Sequence, residues 1–257
     1  MEQLFLYWFL IFVRASAMLS IFPIFSAAAV PIRLRIAIGG FLATVILPTL
    51  PTLGVDLSTL SLLGLIGLLA SEVVIGLLFG YLCRLVLFAV ALAGNLINTQ
   101  LGLDMGSMVA PGEAQSMEVM GVVLQILAIM LLLSLDLHHT LLIGFQQSYE
   151  VLPIGGGHLS NELFDQMTQI CGRTFMVAVK IAAPIIAVGI VVTVLLCMLA
   201  RAVPQMNVFM EGFGIRLLVG ITLLGAMFNM MAMEISNYMQ QIPEDFVTIV
   251  RLLGQGK

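Results

Sequence analysis

Apolar runs near residues 4–25, 36–51, 60–93, 119–143, 174–200 and 215–238 leave this chain little freedom in what it can become. Of its 257 residues 61% are hydrophobic and 9% charged, whereas a soluble domain carries about 25% charged residues. Such a chain cannot cover a globular surface with water-compatible groups. The expectation is an all-α integral membrane protein made of helical hairpins, because a helix satisfies its own backbone polar groups in hydrocarbon. Crossing a bilayer takes about 20 helical residues. Two runs do not match that length. The second is short and ends at 48-PTLP-51. The third, 34 residues long, would extend about 50 Å as one helix, against a hydrocarbon core of about 30 Å.

The N-terminus, MEQLFLYWFLIFVRASAMLS, has an apolar stretch followed by small residues, as a signal peptide does. Glu2 in place of a basic residue, and Arg14 inside the apolar stretch, favour a retained first helix. The formal net charge of −4 and the lack of a basic cluster argue against nucleic acid as a partner. Cys83, Cys171 and Cys197 are odd in number and far apart, and fit buried small hydrophobes better than disulfides or metal ligands. With the N-terminus outside and six crossings, Arg33, Arg35, Arg201 and Arg216 all fall on the cytoplasmic side. After the turn 153-PIGGG-157, a helix is expected to start at Ser160 or Asn161, with Glu162 and Asp165 near its positive end.

Arg14, Glu72, Arg84 and Lys180 lie inside apolar runs. An ionisable group in hydrocarbon costs about 2.5–3.5 kcal/mol on insertion scales, so it faces protein or a wet cavity. Glu72 and Arg84, twelve residues apart on one helix, are separated by about 120° around the axis and about 18 Å along it. They cannot pair with each other, and each is expected to make a buried contact with another helix or subunit. Snorkelling to an interface is the alternative for Arg84. Gly76 and Gly80 form a small-xxx-small pair that would let a second helix approach closely.

The loop 102-GLDMGSMVAPGEAQS-116 combines glycines and a Pro-Gly turn with Met105, Met108 and Val109. Irregular backbone bearing apolar tips suits a protein-lined cavity that must exclude water; an ordinary interfacial loop is the alternative. Asp136, His138 and His139 suggest a metal cluster. Adjacent helical residues point about 100° apart, however, so a polar patch is the expected reading and no metal site is assigned.

The segment 200-ARAVPQMNVFMEGFGIR-216 is unusually polar for a hairpin tip between two apolar runs. Pro204 should end the preceding helix near Arg201, whose cation suits the negative end of the helix dipole. Gln205 and Asn207 can bond the freed backbone of the turn. Arg216, read as opening the next helix, would need an anion, with Glu211 nearest in sequence. Phe209, Met210 and Phe213 add apolar anchors. The tip has the make-up of a docking surface for another protein.

The run 200-ARAVPQMNVF-209 resembles the signature of the FliR family, the R subunit of the flagellar type III export gate, related to the T subunit of injectisomes. The stretches 22-FPIFS-26, 31-PIRLRIAI-38, 71-SEVVIGLLFGY-81 and 94-GNLINTQLGLDMGSMVAPG-112 agree with it. The resemblance covers essentially the whole chain. It implies a single copy completing a helical, cone-like ring with P-type and Q-type subunits in the bacterial inner membrane, at the flagellar basal body. Residues 1–170 would resemble a P subunit and 171–257 a Q-subunit hairpin. It also implies a plug formed by Met105, Gly106, Ser107, Met108, Val109, Ala110, Pro111 and Gly112, and a tip comprising Arg201, Pro204, Gln205, Asn207, Phe209, Glu211 and Arg216 that meets the B-type switch subunit. Unfolded exported proteins would pass through the channel.

Neither a Gly-Lys-Ser/Thr phosphate loop, a nucleophile elbow nor paired catalytic carboxylates occur, so no enzyme activity or cofactor is expected. Two rival readings remain open. One is a six-span small-solute transporter with Glu72, Arg84 and Lys180 as a charge relay. The other is an intramembrane enzyme built on Asp136, His138 and His139.

Overall fold

Each apolar run folds as helix, and a few residues decide where each helix stops. The computed structural model describes residues 2–23, 25, 30–50, 61–103, 119–157, 160–203 and 208–254. Among the described residues are α1 (Glu2–Ile21), α2 (Ile32–Ile46), a 3-10 turn (Leu47–Thr49), α3 (Leu62–Leu101), α4 (Val119–Ser134), α5 (Leu137–Val151), α6 (Asn161–Ala202), α7 (Val208–Met239) and α8 (Ile242–Gly254). The second run stays short because Pro48 sits in the 3-10 turn that ends α2. The third becomes longer still: α3 has 40 residues and α6 has 42, so each extends about 60 Å.

Gly102 ends α3. It takes the left-handed conformation (φ 72°). Its N–H donates to the Thr99 carbonyl (3.1 Å), and the Leu103 N–H donates to that of Asn98 (3.2 Å). Together these bonds make a Schellman cap. At the start of α6 the Ser160 hydroxyl accepts the Leu163 N–H at 3.2 Å, with Glu162 in the first turn. That helix ends at Ala202, two residues before Pro204. Among the described residues, five helices are long and apolar enough to cross a membrane, or up to six if α4 and α5, broken at Leu135–Asp136, form one span.

The chain packs into two units that interleave in sequence: residues 1–86, 136–171 and 240–257 in one, residues 87–135 and 172–239 in the other. The likeness-based division near residue 170 is a different partition, and falls inside the unbroken helix α6.

In the first unit α1 and α2 form a hairpin, in which the Trp8 indole N–H donates to the Thr44 hydroxyl at 3.0 Å. The core gathers Leu10, Ile11, Met18, Ile75, Phe79 and Phe145. Helix α8 closes it with Ile242, Phe246, Ile249, Val250 and Leu253, an apolar stripe at helical spacing. Phe246 lies 4.3 Å from Phe79, centroid to centroid, and its ring edge reaches Gly144 on α5. A Cβ at position 144 would meet that ring at 3.4 Å, in van der Waals contact. In the second unit Thr174 and Tyr238 join α6 to α7 through a buried hydroxyl pair at 2.7 Å, and Phe88 meets Phe175 edge-on at 5.9 Å.

Much apolar surface stays uncovered. Phe41, Leu62, Leu63 and Leu218 are 68–81% exposed. Faces of that kind require lipid or neighbouring protein.

Candidate functional site

Glu72 is fully buried, and its partner comes from α1. The Arg14 guanidinium grips the carboxylate with two groups: Nε–H donates to Oε2, and Nη2–H donates to Oε1 at 3.0 Å. The fork matches a carboxylate in shape and charge. Glu72 Oε1 also accepts the Gly155 N–H at 3.1 Å, and Arg14 Nη1–H donates to the Leu152 carbonyl at 3.4 Å. The guanidinium lies over the Tyr149 ring, 4.1 Å from its centroid, where the π face attracts a cation. One ion pair thus ties together α1, α3, the end of α5 and the connector 152–157. The connector follows from its sequence. Gly155 adopts φ 78°, and the Gly156 N–H closes a turn onto the Pro153 carbonyl at 2.9 Å.

The pair can form because the two helices nearly touch. A Cβ on Gly76 would collide with the Arg14 carbonyl and come within 2.8 Å of the Ala17 Cβ. One on Gly80 would lie 2.6 Å from the Met18 carbonyl oxygen and 2.9 Å from the Ile21 Cβ. Glu72, Gly76 and Gly80 share one face at four-residue spacing.

Arg84 does not join this cluster. It is exposed, and among the described residues no carboxylate lies within ion-pair distance of it. Its exposure sets aside a partner helix within this chain and leaves the neighbouring subunit or the interface. Twelve residues beyond Glu72, it has turned off the face that packs on α1. Lys180 is exposed as well.

In the second unit the stems of the 104–118 segment are held by close backbone contacts. Gly94 on α3 meets the backbone of Gly121 on α4 so closely that position 94 has no room for a side chain. At the end of α3, Gln100 packs on Gly189 of α6 and Leu101 packs on Gly220 of α7. The expected plug residues Met105, Gly106, Ser107, Met108, Val109, Ala110, Pro111 and Gly112 lie outside the described residues, as do Pro204, Gln205 and Asn207.

Arg201 is exposed in the last turn of α6. Phe209 and Glu211 belong to α7, and their side chains lie outside the described ones. Arg216 does not open a helix. Because α7 begins at Val208, Arg216 sits two turns inside it, away from the unfavourable dipole end. It lines a small cleft with Gln100, Leu101, Ile185, Gly189 and Gly220, and its Nε is buried without a hydrogen-bond partner. A residue assigned to the tip therefore meets the root of the 104–118 segment.

The histidines also differ from expectation. Donor atoms of Asp136, His138 and His139 all lie within 4.8 Å of one another. His138 and His139 are both helical, so the 100° step holds for them, yet their rings lie 4.1 Å apart, and Asp136, with φ 52°, stands just before the helix.

A model of the bacterial export proteins, family 1, matches residues 5–242. This chain belongs to the FliR family of bacterial export proteins. Among FliR relatives, the flagellar biosynthetic protein FliR of Pectobacterium carotovorum is 31% identical over 83% of this chain and 81% of its own length. That of Escherichia coli K12 is 29% identical over 85% and 83%. That of Bacillus subtilis 168 is 27% identical over 98% and 97%. Membership gives the chain a membrane-embedded, export-related role on a multi-span helical architecture. The FliR match contains the Arg14–Glu72 cluster, the 104–118 segment and the 201–216 hairpin, and stops where α8 begins.

Arg14 was visible in the sequence as a charge interrupting an apolar run, and Gly76 as a small residue one turn from Glu72. Their meeting across 58 positions had no local signal.

Proposed function

We propose that this chain is a subunit of the flagellar type III protein export gate, at the basal body in the bacterial inner membrane. There it lines and seals the channel through which unfolded flagellar proteins leave. P-type and Q-type subunits cover its exposed apolar faces, residues 1–170 packing in the manner of a P subunit and 171–257 in that of a Q subunit. A B-type switch subunit meets the 201–214 hairpin. The observation that carries the reading is family membership over residues 5–242. The glycine-tight anchoring of both stems of 104–118 supports it, because a seal must close onto a fixed frame.

The seal is the segment 105–112. Its methionines present flexible apolar surface that can repack around a passing polypeptide. Opening moves that surface aside at a cost of a few kcal/mol, on the order of 25 cal/mol per Å² exposed. Gln100 and Arg216 share one cleft, which gives movement at the 201–216 hairpin a route to the root of the seal.

The transporter reading fares worse. Of its three relay residues, Glu72 is committed to Arg14, while Arg84 and Lys180 are exposed. Deleting residues 106–112 from the chromosomal copy is expected to raise ion leak across the inner membrane, measured as loss of membrane potential. Unchanged leak with normal secretion would remove the seal from this segment.

A further inference from the structure

We propose that Asp136, His138 and His139 bind a divalent transition-metal ion of the zinc, nickel or copper class. The three offer donor atoms within 4.8 Å of one another. One edge, His139 Nδ1 to Asp136 Oδ1, is 3.5 Å. Metal–ligand bonds of about 2.0–2.2 Å in a tetrahedron put neighbouring donors about 3.3–3.5 Å apart. That edge already has the required length, and rotation of exposed side chains supplies the rest.

Three features make the cluster more than an exposed polar patch. The imidazoles lie side by side, with centroids 4.1 Å apart and planes inclined by 36°. His138 Nδ1 is shielded from water and has no hydrogen-bond partner, so a polar atom waits for one. Asp136 precedes a helix yet makes no side-chain cap to it, which leaves its carboxylate available. The left-handed backbone at Asp136 (φ 52°) swings that carboxylate toward the first turn of α5. Its negative charge offsets the positive helix end that would otherwise repel a cation.

Two imidazoles and one carboxylate suit zinc, nickel and copper; calcium and magnesium prefer all-oxygen sets. With Asp136 76% and His139 67% exposed, further coordination positions stay open to water or to a donor from a neighbouring protein. The ion would fasten the helix break at 135–136 to the first turn of α5.

The test uses the full chain carrying a histidine-free affinity tag, in detergent with whatever membrane proteins accompany it. After equilibrium dialysis against micromolar Zn²⁺, elemental analysis should find about one more zinc per chain in the wild type than in His138→Ala/His139→Ala. Single His139→Ala and Asp136→Asn should each weaken binding at least about tenfold. Co²⁺ in place of zinc should give visible absorption bands that excess Zn²⁺ abolishes. Circular dichroism and elution volume check that the substitutions leave the fold intact. Equal zinc in the wild type and the double variant, or less than about a tenth of an equivalent in the wild type, would overturn the site.

Discussion

Replacing Arg14 by Leu is expected to destabilise the chain by about 3–5 kcal/mol, because it strands the Glu72 carboxylate without its counter-charge in a fully buried position. Glu72→Leu should do the same by stranding the guanidinium and freeing the Gly155 N–H. A domain is stable by only about 5–15 kcal/mol, so either loss is enough to lower the amount of folded chain in membranes. The double substitution Arg14→Leu/Glu72→Leu removes both charges and leaves two apolar side chains facing one another. It should lie closer to the wild type than either single variant, since the desolvation cost of the pair disappears with the pair. Thermal midpoints of the detergent-extracted protein measure this. Single variants indistinguishable from wild type would mean that the pair is not buried as described. A double variant as poor as the sum of the singles would mean that the guanidinium over Tyr149 and the bond to Leu152 matter more than the ion pair.

A methyl group at Gly76 or Gly80 should be nearly as damaging. The atoms in its way are main-chain carbonyls and first side-chain carbons of α1, and none of them can swing aside. Overpacking costs about 1–3 kcal/mol where neighbours can adjust. Here α1 as a whole must retreat, so Gly76→Ala should reach the top of that range and Gly76→Leu exceed it. Position 76 touches the carbonyl of Arg14 itself. Pushing α1 away therefore stretches the pair with Glu72, and the double variant Glu72→Leu/Gly76→Ala should lose less than the sum of the two single losses. Gly67, beside which an added Cβ meets nothing within 4 Å, is the control on the same helix. Its substitution by alanine should be neutral. If Gly67→Ala and Gly76→Ala behave alike in the thermal assay, the α1–α3 contact is looser than drawn.

The sequence made legible whatever depends on local chemistry. Apolar runs became helices. Ser160 capped α6, and that helix ended before Pro204. The burial of Glu72 followed from the cost of leaving it in hydrocarbon, and the Gly76–Gly80 pair from its spacing. Contacts between distant segments were hidden. Nothing near Glu72 names Arg14, 58 residues away, or the N–H of Gly155. Arg84 was not decided by the sequence, because a charge within a long apolar run gives no sign of which way it faces. Arg216 was placed at a helix start because the apolar run resumes only near residue 215, whereas α7 already begins at Val208. The closeness of the histidines was hidden because a 100° step between helical neighbours fixes where side chains leave the backbone and not where the rings end, and the left-handed backbone of Asp136 has no mark in the sequence.

Central to this account is that the uncovered faces of α2, α3, α6 and α7 are met by sister proteins around a shared channel. The direct measurement is the composition of the particle obtained when the chain, tagged at its chromosomal locus, is drawn from native membranes in mild detergent. The account predicts a discrete complex in which this chain accompanies several other small membrane proteins at fixed ratios. A monodisperse single chain, covered only by detergent and active in transport after reconstitution, would contradict it.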